Sequence, residues 1–272
     1  MAISQTLGSL GDAIGREVGR TLSWEFADRE IIAKAAERFA EGVMELAHVT
    51  EERPTLWERI TDTKRRYVTY VEAIILEMAA HDNVILSGRA TTILLSPVRH
   101  VLRVRITAPW EARARRVEQE QGLTHEAAID LVRQTDRERA ARVRFLYHVD
   151  WDDPLLYDLV LNTERLSVPR ATRLIVETLE EDRFQSTPGA QLEVTDLSLV
   201  AQVKAAFLAN PLTRSLRLSA TCRDGQISVG GMVDEDEQEK AVLEIAGKVP
   251  GVRGVTGELV VVRPGRRLVA PL

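Results

Sequence analysis

The sequence has a single cysteine, Cys222, which excludes an internal disulfide framework and any cysteine-based zinc site. Lysine is nearly as scarce. Lys34, Lys64, Lys204, Lys240 and Lys248 stand among 36 basic residues, and the others are arginine, so a grip on phosphate must come from arginine or from backbone amides. No apolar run approaches the roughly 18 residues that span a bilayer. The opening MAISQTLGSLGDAIG lacks a basic start followed by an apolar stretch, which argues against a secretory signal and for the cytoplasm. The five histidines show no metal spacing and no serine sits in a nucleophile elbow, so hydrolase and metalloenzyme chemistry gain little support. A net charge of −5 is a poor start for a dedicated nucleic-acid binder. What is present is an ordinary globular balance, 44% hydrophobic and 28% charged, over 272 residues, room for a medium domain and a small one.

The chain divides near RFQSTPGAQLEV, residues 183–194, where Ser, Thr, Pro and Gly cluster as in a linker, taken as 183–192. The expected domains are 1–182 and 193–263, with a tail at 264–272. In the first, short apolar runs at Ala2–Ser4, Val84–Ser87, Val101–Ile106 and Leu159–Asn162 alternate with amphipathic stretches at 11–22, 28–47, 56–80, 109–121, 124–147 and 168–181. Strands that are apolar throughout, separated by helices, predict an α/β fold with a parallel sheet covered on both faces. The second domain reads helix 196–209, strand 214–222, strand 226–233, helix 235–248 and strand 254–262. Asp224-Gly225 forms a hairpin turn between the first two strands.

The chemistry-bearing candidate is Gly8-Ser9-Leu10-Gly11, between the first strand and a helix. Such a turn exposes amides at the positive end of the helix and suits phosphate, although glycines so spaced are more often turn or packing residues. It is not a Walker A sequence, since no Lys-Ser or Lys-Thr follows Gly11. Further on, Asp28 and Arg29 open a helix. Gly88 and Arg89 follow a strand, at the end where open α/β sheets bind ligands. Arg133, Arg137, Arg139 and Arg142 recur along one helix. Each has a plain alternative: an ion pair for Arg89, an N-cap for Asp28, a solvated face held by Asp136 and Glu138 for the arginine series.

Taken together, ISQTLGSLG, FADREII, VILSGRA, VRQTDRERA and DWDDPLLYDLVLNTERLSV resemble the cytidylate-kinase-like family, relatives of the P-loop nucleoside monophosphate kinases, from Ile3 to about Thr178. AQVKAAFLANP, RDGQISVGGMVD and IAGKVPGVRGVTGELVVV resemble a BON domain. The resemblance implies a P-loop kinase-like parallel sheet followed by a small αββαβ module. It implies ATP with Mg²⁺ as cofactors and a CMP-like acceptor. Gly8, Ser9 and Gly11 would cradle the donor's phosphates. Asp28, Arg29 and Gly88 would lie beside the acceptor, and Arg89 would fork its phosphate. Arg133, Arg137, Arg139 and Arg142 would form a mobile, charge-neutralising lid. The BON module implies a phospholipid or protein partner, other copies of the chain included.

The departures fall on the loop. Leu10 stands where a glycine is usual, tolerates φ > 0 poorly, and is expected to bring its side chain toward the ligand. Asp12 complements the helix dipole in an empty loop but repels a triphosphate. These residues motivate a second expectation, a catalytically silent relative with a regulatory or scaffolding role.

Overall fold

The computed structural model describes residues 1–28, 30–39, 63–88 and 90–262. Two compact units emerge, Met1–Gln191 and Leu192–Leu272.

The first unit is built on five parallel strands, β1 (Ala2–Gln5), β2 (Glu25–Ala27), β3 (Val84–Ser87), β4 (Arg103–Thr107) and β5 (Leu159–Asn162), in the order β2-β3-β1-β4-β5. Flanking them are α1 (Gly11–Leu22), α2 (Glu30–Phe39), α3 (Thr63–Ala80), a single turn α4 (Thr91–Leu94), α5 (Trp110–Gln121), α6 (His125–Tyr147) and α7 (Val168–Leu179). The parts of the expected helices 28–47 and 56–80 that fall in 40–62 lie outside the described residues. β2 has no counterpart in the sequence reading, because three residues are too few for a periodic signal. All five strands run the same way, so their C-terminal ends form one edge. The strand order places β1 between β3 and β4, and the chain leaves in opposite directions on its two sides; open α/β sheets hold ligands at such a crevice.

Ile3, Ile85, Val104 and Ile106 from the sheet pack with Ile14 and Val18 of α1 and Ala171, Ile175 and Leu179 of α7. Burying side chains of this size contributes about 1.5–3 kcal/mol each. The strands are not apolar throughout. Arg103 and Arg105 alternate with Val104 and Ile106 on β4, and each donates to a carboxylate, Arg105 to the largely exposed Asp152. Arg103 forks Asp158 at 2.8 and 3.0 Å, and its amide adds a bond at 2.9 Å. Burial raises the Asp158 pKa, but these three bonds outweigh it and hold the carboxyl below its usual range.

The second unit carries three strands, β6 (Leu218–Arg223), β7 (Gln226–Val233) and β8 (Gly254–Val261), in that order, with β6 antiparallel and β8 parallel to β7. Helices α8 (Pro188–Ala209) and α9 (Asp236–Gly247) belong with it. Its core joins Leu199, Val203 and Phe207 to Ile227, Val229, Val242 and Ala246. α8 begins at Pro188 rather than at 196. Thr187 Oγ1 accepts from the Ala190 amide and Pro188 fills the first turn, so a stretch that reads as loop by composition is a helix cap. Asp224 and Gly225 both take positive φ, 53° and 78°, as a two-residue hairpin turn requires.

Candidate functional site

Between the end of β1 and the start of α1 the chain makes a tight loop. The Thr6 carbonyl accepts from both the amide and the hydroxyl of Ser9, at 3.2 and 2.7 Å. Gly8 sits at φ 74°, and a Cβ there would meet the Arg113 carbonyl oxygen at 2.7 Å, so both conformation and space demand glycine. Leu10 also takes a left-handed conformation, φ 66°, which costs a branched residue roughly 1–2 kcal/mol. Its side chain packs against the Ile3–Ile14 core instead of reaching toward a ligand, and that burial offsets the strain. The expected obstruction by Leu10 is therefore absent.

The loop's carbonyls are all occupied. Arg139 donates to the Gln5 oxygen at 2.8 Å, Arg113 to Leu7 at 3.2 Å, Arg116 to Gly8 at 3.0 Å and the Thr163 hydroxyl to Ser9 at 2.9 Å. Arg113, 5% exposed, also forks Asp136 across the α5–α6 pair at 2.6 and 3.1 Å. Arg116 bridges to the Thr163 carbonyl at 2.6 Å. The N–H groups of Gly8, Leu10, Gly11, Asp12 and Ala13 find no acceptor among the described residues. Amides left in this way at a helix N-terminus have the chemistry to accept an anion.

One side chain lies over the start of this helix. Gln5 lies so close over Gly11 that a Cβ there would overlap its carbonyl oxygen, and its amide donates to the Asp12 carboxylate and to Ser87 Oγ. Asp12 thus stands beside the amides, exposed, with Gln5 as its tether.

Next to the loop is a cavity of about 300 Å³. Its walls come from the C-terminal edge of the sheet (Ser4, Gln5, Asp28, Gly88), from Asp12, from α4 (Thr91, Thr92), from Tyr67 of α3, from α6 (Arg139, Arg142, Leu146, Tyr147) and from Trp151. Gly88 has φ 73°, and Asp28 Oδ1 lies 3.3 Å from where its Cβ would be. Arg142 is 5% exposed. Burial, with smaller contributions from Tyr67 and Glu72, pushes the Tyr147 hydroxyl well above its ordinary pKa.

Of the residues singled out from the sequence, Gly8, Ser9 and Gly11 form the loop, and Asp28, Gly88, Arg139 and Arg142 meet at the cavity. Arg133 stacks on the Trp110 ring at 4.0 Å and Arg137 is exposed, and neither lines the cavity. Arg29 and Arg89 lie outside the described residues. Asp136, read from the sequence as holding a solvated face, is the counterion of Arg113. Sequence reasoning missed Gln5, Arg105, Arg113 and Arg116. The only available signal was the run ARARR at 112–116, directly after the strand–helix junction marked by Pro109.

A model of the cytidylate kinase-like family matches residues 1–165, and one of the BON domain matches residues 195–263. The chain belongs to the cytidylate kinase-like family. Among curated relatives, a cytidylate kinase of Pyrobaculum calidifontis is 29% identical over 178 residues, 65% of this chain and 90% of the relative. One from Ignicoccus hospitalis is 26% identical over 181 residues, 66% of this chain and 96% of the relative. Among solved structures, an uncharacterized protein of Eubacterium ventriosum superposes with TM-score 0.53 at 16% identity, covering 66% of this chain and 97% of that one. At that identity the likeness carries the fold alone.

Proposed function

We propose that the first unit binds ATP through the amides of Gly8 and Leu10–Ala13 and transfers its γ-phosphoryl group to a nucleoside monophosphate of the CMP type seated in the adjoining cavity. The observation that carries this is the contrast within the loop: its carbonyls from Gln5 to Ser9 are all bonded, while five of its amides have no acceptor among the described residues, beside a cavity that Leu7 and Asp12 help to line. In the transfer, an acceptor phosphate oxygen bonds to Pγ as the bond from Pγ to the β,γ-bridging oxygen breaks, and ADP departs with that oxygen's electrons. Arg139 and Arg142 stand on the cavity wall, where guanidiniums offset the charge spread over the moving group. The position of Arg89, just past β3, suits a fork on the acceptor phosphate.

The amide row fits a polyphosphate. Mg²⁺ fits as an ion carried by the phosphates with one or two carboxylates, Asp12 or Asp28, since the described residues hold no cluster of three or more metal-ligating side chains. Bound there, it would neutralise charge on the β- and γ-oxygens. One observation favours the silent alternative: the Asp12 carboxylate, tethered by Gln5, borders the amides without a loop lysine to balance it. A coupled assay with ATP, Mg²⁺ and a panel of nucleoside monophosphates decides. Phosphorylation of one acceptor supports the kinase, no turnover with any acceptor overturns it, and ATP binding without turnover leaves the regulatory form.

For the second unit we infer an association role with protein rather than anionic lipid. α9 opens with Asp236, Glu237 and Glu239, which disfavours a negative surface, while Met232 and Val260 pair across β7 and β8 with 64% and 59% exposure. Flotation of the full chain with phosphatidylserine vesicles, beside its size-exclusion mass, separates these partners.

A further inference from the structure

Arg105 stands in β4 beside Ser4 of β1 in the sheet register, and is 4% exposed. Burying a guanidinium is costly unless its charge is matched. Its Nη1 donates to Ser4 Oγ at 2.8 Å and its Nη2 to Asp152 at 3.0 Å, while its plane lies 3.6 Å from the Trp151 ring centre. Trp151 Nε1 donates to the same Ser4 oxygen at 3.0 Å, and the Tyr157 hydroxyl donates to the Trp151 carbonyl at 2.7 Å. This cage fixes the guanidinium in place but hardly neutralises it. The serine and the rings carry no net charge, and Asp152 is 75% exposed, so water screens its side of the pair. Burial lowers the Arg105 pKa, yet a guanidinium keeps its proton in proteins.

Two members of the cage, Ser4 and Trp151, are also wall residues of the cavity beside the phosphate loop. A positive charge therefore sits one side chain behind the site, in surroundings that screen it poorly on the cavity side. We propose that Arg105 is a positioning residue for the polyphosphate, a fixed cation behind the sheet edge that supplies at a distance the positive field a loop lysine would supply by contact. The proposal rests on the reading of the loop and the adjoining cavity as one nucleotide site, with the polyphosphate reaching from the loop to the cavity mouth. It accounts for a buried arginine in a central strand, whereas a purely structural role would be met as well by an apolar residue packed on Trp151 and Tyr157.

A charge acts in proportion to the ligand's charge, and that is what the test reads. Binding of adenosine, AMP, ADP and ATP to the full chain is measured by calorimetry at low salt for wild type, Arg105→Gln, Arg105→Lys and Asp152→Asn. The expected result is that Arg105→Gln weakens ATP on the order of ten- to a hundredfold while adenosine changes little. Arg105→Lys restores most of the difference, and Asp152→Asn tightens ATP a few-fold relative to adenosine. Equal losses for adenosine and ATP in Arg105→Gln would make the residue structural and overturn the proposal. If circular dichroism shows that variant unfolded, Asp152→Asn decides: an unchanged ATP-to-adenosine ratio overturns the proposal alone. A folded wild type that binds none of the four overturns the nucleotide reading and this proposal with it.

Discussion

Of the turns that use left-handed residues, two treat their amides in opposite ways. In the second unit, the Asp224-Gly225 hairpin turn is closed by the protein itself, because Asp196 accepts from the Asp224 amide at 2.8 Å and the Gly225 amide at 3.0 Å. In the first unit, the Gly8–Leu10 turn has every carbonyl bonded and leaves its helix-entry amides without an acceptor among the described residues. The first is a finished structural joint. The second leaves its remaining donors to solvent or to a ligand.

The largest expected effect comes from unlocking the loop's inward side. Arg113→Ala removes the donor to Leu7 and Ala108 and strands the Asp136 carboxylate, so stability should fall by about 3 kcal/mol or more in denaturant titration, with nucleotide affinity falling too. Gly8→Ala sets a Cβ against the Arg113 carbonyl at a positive φ. It should cost about 2 kcal/mol and weaken ATP at least tenfold by calorimetry. The matching change in the closed turn, Asp196→Ala, should cost about 1–2 kcal/mol and leave ATP affinity untouched.

Asp196 also gives the closed turn a pH signature. Burial raises its pKa, but bonds from the Cys222 thiol and the two turn amides outweigh that and lower it. A carboxyl with a lowered folded pKa contributes stability above its unfolded value, near 3.9, and loses it as pH falls through the folded one. The second unit should therefore weaken below about pH 4, and Asp196→Ala should flatten that dependence. The thiol beside it is pushed up to about 12 by burial and by the carboxylate, so Cys222 should resist thiol reagents at pH 8 until Asp196 is removed. The smallest effect is at the open turn: Asp12→Asn removes a negative charge at the helix N-terminus, giving up its dipole stabilisation in the empty loop but tightening ATP a few-fold when Mg²⁺ is left out.

The framework was legible in the sequence because long elements repeat their pattern. The parallel sheet, the Asp-Gly hairpin and the second unit's core at Val203, Phe207, Ile227, Val229, Val242 and Ala246 all follow from periodicity and turn chemistry. β2 was not, since Glu25–Ala27 is held by neighbours rather than by its own pattern. The loop's glycines were visible, but the direction of Leu10 was not, because a side chain's choice between core and ligand depends on what packs beside it. The arginines that clamp the loop, Arg113 and Arg116, lie over 100 residues along the chain from their acceptors, a contact that no local spacing encodes.

The most direct test follows backbone amide resonances of the full chain during an ATP titration. Phosphate on the loop predicts that Gly8, Leu10, Gly11, Asp12 and Ala13 shift together and saturably, while Asp224 and Gly225 stay put. Shifts confined to other residues, or none at any ATP concentration, would contradict the account.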